Sequence, residues 1–174
     1  MKESPEPSFR LFLVEDDAVY SRMIEYMLKL NPEHEVHKFT NGAQALEHAY
    51  LRPAVVVLDY MLPDMKGLDV MRRLRLNDPE VTIIVLSGQK DIAVAIQMLR
   101  EGAYDYVVKD EDAKERILNI VQNVKMNRQL KQEVIELKAE LVQTYDFDKA
   151  LIGQSDPMKR VFGLLQKAAQ TDIN

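Results

Sequence analysis

Ala54-Val55-Val56-Val57-Leu58-Asp59 is the stretch on which the fold turns. Five apolar residues, three of them β-branched, read as a buried strand. An aspartate closes the run, and a carboxylate is costly to bury without a partner. Three other segments have the same form. Leu11-Phe12-Leu13-Val14 runs into Glu15-Asp16-Asp17, Thr82-Ile83-Ile84-Val85-Leu86 into Ser87-Gly88, and Tyr104-Asp105-Tyr106-Val107-Val108 into Lys109. Several strands therefore each deliver a polar group at the C-terminal end. In an open parallel α/β sheet, the crevice at those ends is where ligands and chemistry sit.

Outward from this stretch, strand-like and helix-like patterns alternate. Strands are expected at Arg10–Val14, Glu35–Phe39, Ala54–Leu58, Thr82–Leu86 and Tyr104–Val108. Helix faces are expected at Met23, Met27 and Leu30; at Ala45, Leu46 and Ala49; at Leu68, Met71, Leu74 and Arg75; and at Ile92, Ala95, Ile96 and Leu99. The last helix has Asp91 as N-cap and Gly102 as its C-terminal stop. Alternating β and α argues for a parallel sheet covered on both faces. Five such strands fit the flavodoxin-like order 2-1-3-4-5.

The bulk numbers narrow the class. The 174 residues suit one domain plus an extension, and 47% hydrophobic with 29% charged residues is ordinary for a globular protein. The net charge of −5, without a basic block, argues against direct nucleic-acid binding by these residues. The absence of cysteine excludes disulfides and thiolate metal sites. Residues 1–8 are polar with two prolines, read as a disordered N-terminus and not as a signal peptide. No apolar run suits a membrane span, so a cytoplasmic protein is expected.

After Lys109 the pattern changes. From about Asp112 to Thr144 there is neither proline nor glycine. Apolar residues recur at Ile117, Ile120, Val121, Val124, Leu130, Val134, Leu137 and Leu141, the last four with coiled-coil spacing. The step from Val124 through Asn127 to Leu130 interrupts the heptad like a stammer. A helix over this stretch is roughly 50 Å long at ~1.5 Å per residue. A solvated helix laced with charge pairs, such as Lys131 with Glu136, is the alternative, but it has no use for an apolar seam. A parallel dimer is expected. Beyond Tyr145, Leu151 to Pro157 reads as a turn and helix start, and Met158, Val161, Phe162, Leu165 and Ala169 as an amphipathic helix with no domain to cover it. On that ground the chain is read as part of something longer.

The site residues follow from the strand ends. Glu15, Asp16 and Asp59 on adjacent strands repel one another, and a hard divalent cation relieves this. Few protein ligands, with room for water and phosphate oxygens, favour Mg²⁺. The competing reading of Glu15-Asp16-Asp17 is a cap for the helix starting near Val19. Ser87 and Lys109 can both reach an anion held near Asp59. Together the five fit attack of Asp59 on phosphorus to give an aspartyl phosphate.

The blocks Val14-Glu15-Asp16-Asp17, Leu58-Asp59-Tyr60-Met61-Leu62-Pro63-Asp64-Met65-Lys66-Gly67, Leu86-Ser87-Gly88 and Tyr106-Val107-Val108-Lys109 resemble the signature of response-regulator receiver domains, over about Arg10 to Lys125. The resemblance implies a phosphoacceptor rather than an enzyme. Asp59 would take phosphate from a sensor histidine kinase, and Asp16, Asp59 and the Met61 backbone carbonyl would bind Mg²⁺, with Glu15 acting through water. Ser87 and Tyr106 would be the switch pair, biasing the surface of the fourth helix, fifth strand and fifth helix. One departure stands out: receivers usually follow the lysine with a cis-proline, whereas Asp110 follows Lys109 here, so a trans bond is expected.

Leu151-Ile152-Gly153-Gln154-Ser155 through Val161, Ala168-Ala169 and Thr171-Asp172-Ile173-Asn174 resemble the lead-in to the AAA+ ATPase domain of NtrC-like, enhancer-binding transcriptional activators. No G-x-x-x-x-G-K-[ST] occurs, so no ATP chemistry is expected of this chain. The resulting division is 1–8 N-terminus, 9–125 receiver, 126–146 coiled-coil dimerisation linker continuous with the last receiver helix, and 147–174 start of the AAA+ domain. Homodimerisation through linker and receiver surface is implied, with DNA binding in a further C-terminal part. Relatives with this layout imply repression of the ATPase, relieved by phosphorylation. Rival readings are weaker. An aspartate-nucleophile phosphohydrolase needs an acid/base two residues on, where Met61 stands. Glu15-Asp16-Asp17 would repel a flavin phosphate. A pure dimerisation module with a decayed site does not explain why every site residue is present; the alternative kept is a stand-alone module that dimerises or binds on phosphorylation.

Overall fold

A computed structural model describes residues 9–144 and 163–164. Its elements are β1 (Phe9–Val14), α1 (Ala18–Leu28), β2 (His34–Phe39), α2 (Gly42–Glu47), a 3₁₀ turn (Ala49–Leu51), β3 (Val55–Asp59), α3 (Gly67–Asn77), β4 (Thr82–Ser87), α4 (Ile92–Arg100), β5 (Asp105–Val108) and α5 (Ala113–Thr144). The strands form one parallel sheet in the order β2-β1-β3-β4-β5. This is the flavodoxin-like architecture expected from the alternation.

Strand periodicity sorts the core into two layers. Leu11, Leu13, Val55, Val57, Ile84, Leu86 and Val107 point to one face, under Ile24 and Leu28 of α1 and Ile117 and Val121 of α5. Phe12, Val14, Val56, Leu58, Ile83 and Val85 point to the other, against Ala45 of α2, Val70, Met71 and Leu74 of α3, and Met98 of α4. All five residues of β3 are buried because both faces are covered, which is why Val55 to Leu58 is continuously apolar and not alternating.

The helix faces depart from the sequence reading in three places, the first being Ala49, which falls in the 3₁₀ turn past the end of α2. On α1 the buried residues are Ser21, Ile24, Met27 and Leu28, whereas Leu30 lies beyond the helix end and is exposed. On α4, Met98 is buried with Val94 and Ala95 packed beside it, and the stripe Ile92, Ile96 and Leu99 is exposed at 76%, 47% and 46%. Spacing identified a true apolar stripe there, but it is not the one facing the core. The caps agree with expectation. Asp91 accepts from the amides of Ala93 and Val94. At the other end Glu101 is the C-cap and Gly102, at φ 101°, follows it. Ala103 N–H donates to Met98 and Gly102 N–H to Leu99, the paired bonds of a Schellman stop.

Gly67 opens α3 directly against the site strand. Its N–H donates to the Tyr60 carbonyl at 2.8 Å. A Cβ here would sit 2.5 Å from the Asp59 carbonyl oxygen and 2.9 Å from the Tyr60 Cα, both backbone atoms that cannot step aside. Gly67→Ala should therefore cost about 2–3 kcal/mol through forced backbone movement. An unchanged urea midpoint would show that the approach is looser than this.

Residues 1–127 form one compact unit and 128–174 a second. Within the second, Leu130, Val134 and Leu137 are each about half exposed. Gln132 donates to Glu136 at 2.8 Å. The expected helix from Met158 to Ala169 lies outside the described residues, except that Gly163 and Leu164 are helical. No helix among the described residues is long and apolar enough to cross a membrane.

Candidate functional site

Register brings the site together. Val14 pairs with Leu58, so Glu15 follows at the level of Asp59. Asp59 pairs with Leu86, and Ser87 with Val108, which places Ser87 and Lys109 at the same sheet edge. The Lys109 N–H donates to the Ser87 carbonyl at 2.8 Å, continuing the ladder one step past β5.

At this edge Glu15, Asp16 and Asp59 each offer a carboxylate oxygen, all within 4.8 Å of one another. Glu15 and Asp59 are buried, at 1% and 5% exposure, and Asp16 is exposed. The competing role as helix cap falls to Asp17 alone, whose Oδ1 accepts from Val19 N–H at 2.8 Å and Tyr20 N–H at 3.0 Å. Division of labour in the acidic triplet is thus resolved: Asp17 caps α1, and Glu15 and Asp16 face Asp59.

Lys109 is the counter-charge. Its Nζ donates to Asp59 Oδ2 at 2.7 Å and Glu15 Oε1 at 2.8 Å, with Glu15 Oε2 also 2.7 Å away. Burial alone would lower the ammonium's pKa, but its bonds to Asp59 and Glu15 outweigh this and hold it above the ordinary value. Burial pushes the Glu15 carboxyl up to about 7, with the Asp59 charge adding to the rise and Lys109 opposing it. One ammonium does not neutralise the three carboxylates. An all-oxygen donor set with unrelieved negative charge fits a hard divalent ion such as Mg²⁺. The peptide bond from Lys109 to Asp110 is trans, as the missing proline led one to expect.

The raised Glu15 value sets a pH dependence. Its ordinary value is 4.5, so between there and about 7 the folded state binds more protons than the unfolded chain. Metal-free stability should then fall as pH rises through that window. A cation engaging the cluster should stabilise more at pH 8 than at pH 5.5. Thermal melts with and without Mg²⁺ at the two pH values check this, and an equal metal effect at both would refute it.

A cavity of about 260 Å³ opens beside Asp59, lined by Met61, Ser87, Gln89, Tyr106 and Lys109 among others. Ser87 is buried, and its Oγ accepts from Gln89 N–H at 3.2 Å. The Tyr106 ring is turned inward at 7% exposure, its hydroxyl donating to the Gln89 carbonyl at 3.1 Å. Met61 N–H donates to Asp59 Oδ1 at 3.0 Å, while the Met61 side chain is exposed.

Three residues escaped the sequence reading. Tyr20 lies with its ring 4.9 Å from the Lys109 Nζ. Gln89 holds both Ser87 and Tyr106 through its backbone. Asp64 accepts from Gly42 and Ala43 N–H at 2.9 and 2.8 Å, tying the loop after Asp59 to the start of α2. Asp64 carried a signal in its place in the loop Leu62 to Gly67; Gln89 follows Ser87 closely but acts through its backbone, which its residue type does not announce, and Tyr20 meets Lys109 from an element distant in sequence.

Residues 11–122 match the response regulator receiver domain family. The C4-dicarboxylate transport transcriptional regulatory protein DctD of Rhizobium meliloti (strain 1021) is 28% identical over 165 residues, covering 94% of this chain and 35% of DctD. The regulatory protein AtoC of Escherichia coli (strain K12) is 29% identical over 143 residues, covering 82% of this chain and 31% of AtoC. The chain spans about a third of the length of these two relatives. Among solved structures, the CheY-like response regulator receiver domain protein from Methanospirillum hungatei JF-1 superimposes with a TM-score of 0.62, at 19% identity, over 69% of this chain and 96% of that one. At that identity the likeness speaks to the fold.

Proposed function

This chain belongs to the response regulator receiver domain family, and from that premise we propose that Asp59 accepts a phosphoryl group from a sensor histidine kinase in the cytoplasm. An Asp59 carboxylate oxygen attacks phosphorus, forming the O–P bond as the N–P bond to the kinase imidazole breaks. That imidazole leaves with the electron pair and takes a proton. Lys109 and Ser87 hold the transferred oxygens, and Tyr106 fills the space behind Ser87. Mg²⁺ held by Asp16, Asp59 and the Met61 carbonyl, with Glu15 through water, would supply positive charge to the phosphoryl oxygens.

The observation that carries this reading is the Lys109 ammonium bonded to Asp59 and Glu15, with Asp16 in reach of both, at one edge of a parallel sheet. The test is incubation with acetyl phosphate and Mg²⁺, followed by intact mass and peptide mapping. One hydroxylamine-labile phosphoryl group on Asp59 is expected. A phosphoryl group elsewhere, or none, would refute the assignment.

The output is proposed to be a change in receiver pairing. Its supporting feature is the exposed stripe Ile92, Ile96 and Leu99 on α4 with half-exposed Tyr104 before β5. Residues 126–146 are proposed as a dimerisation linker, and 147–174 as the start of an AAA+ domain of an NtrC-like activator. DNA binding is assigned to a further C-terminal part. In that setting, phosphorylation of Asp59 relieves repression of the ATPase. Removing the receiver from the full activator should raise ATPase activity, and a fall would reverse the sign.

A further inference from the structure

Lys109 is a flexible side chain charged with a precise task, and its acidic partners are also the groups that would turn toward a cation. Once Glu15, Asp16 and Asp59 engage a metal, the ion pairs that now hold the ammonium weaken. The Tyr20 ring also faces that ammonium, its centroid 4.9 Å from Nζ. The ring is neutral and does not compete for the cation.

Tyr20 is well anchored. Its N–H is held by Asp17 Oδ1 in the first turn of α1, and its ring packs against the core layer under α1 and α5. Its hydroxyl, by contrast, is buried with no hydrogen-bond partner among the described residues. A buried hydroxyl without a partner costs stability. The feature of this residue that meets the site is therefore the aromatic face. An ammonium over such a face is attracted by the ring quadrupole.

The geometry points to Tyr20 as a positioning residue for phosphoryl transfer, its ring face holding the Lys109 ammonium in place when the carboxylates turn to the metal. This rests on the reading of Asp59 as phosphoacceptor. Because the face and not the hydroxyl does this, phenylalanine should serve and an aliphatic residue of similar bulk should not.

The experiment compares wild type, Tyr20→Phe and Tyr20→Leu in the rate of labelling by acetyl phosphate and in Mg²⁺ affinity. Tyr20→Phe should label within about twofold of wild type, and Tyr20→Leu about tenfold more slowly with Mg²⁺ affinity unchanged. A purely structural role would lower rate and metal affinity together. In parallel, the ε-methylene protons of Lys109 in Mg²⁺-bound wild type should show an upfield ring-current shift that persists in Tyr20→Phe. That measurement stands even if Tyr20→Leu fails to fold. Absence of the shift in folded wild type, or wild-type labelling by Tyr20→Leu, would overturn the proposal. No labelling of wild type at all would instead overturn the phosphoacceptor reading, leaving the ring-current result to judge the contact by itself.

Discussion

Lys109→Met should both destabilise the metal-free protein strongly and slow phosphoryl acceptance by Asp59. Wild type places one ammonium between two buried carboxylates, with Asp16 close by. Removing one partner of a buried ion pair leaves the other charge uncompensated and costs about 3–5 kcal/mol. Part of that is recoverable here, because Glu15 can take a proton and a metal can take over as counter-charge. The loss should therefore be greatest without Mg²⁺ at alkaline pH, where Glu15 must ionise without the ammonium that opposes its rise. It should shrink on adding Mg²⁺ or on lowering the pH below 6. Labelling should fall on the order of 10²–10³-fold even with Mg²⁺ present, since a preorganised positive group facing the transition state is gone. Denaturant melts at two pH values with and without Mg²⁺ measure the first effect, and labelling rates the second. A variant as stable as wild type at pH 8 without metal would mean that the ion pairs are not sustained in solution.

The second large effect concerns the seam of α5. Leu130, Val134 and Leu137 are each about half exposed in the single chain. Three apolar side chains at four-three spacing are what a partner helix would cover. Val134→Glu with Leu137→Glu should convert a dimer to a monomer. Exposure of a buried Val or Leu costs about 2 kcal/mol, and four are lost per dimer, so dissociation should strengthen by at least about 10³-fold. Light-scattering mass across a dilution series decides this. Equal mass for wild type and variant would remove the linker from the dimer interface. The receiver core should be untouched, since Ile117, Ile120, Val121 and Val124 carry the packing of the same helix within the first unit.

The legible part of this chain was local. Five strands could be read because each is a short apolar run flanked by turn chemistry, and all five appear within about a residue or two of expectation. Asp91 and Gly102 were readable as helix stops because capping depends on a few neighbouring backbone groups. The acidic residues, Ser87 and Lys109 were readable as a set because each ends an apolar run, and parallel topology collects such ends at one edge.

What the residues alone determined was therefore the element types, their parallel arrangement, and the polar strand ends that meet at one edge. Tertiary structure alone decided the rest. Spacing names residues that share a helix face without saying which face meets the sheet, so the Ile92, Ile96 and Leu99 stripe turned out to be exposed while Met98 is buried. Runs of Glu and Asp do not announce their division of labour, and only the approach of Asp59 separates the cap Asp17 from Glu15 and Asp16. The seating of Lys109 on Asp59 and Glu15, and of Tyr20 beneath it, joins residues far apart in sequence. Such contacts are set by strand register and by how α1 packs on the sheet, which depend on the whole core at once and leave no local trace in the chain.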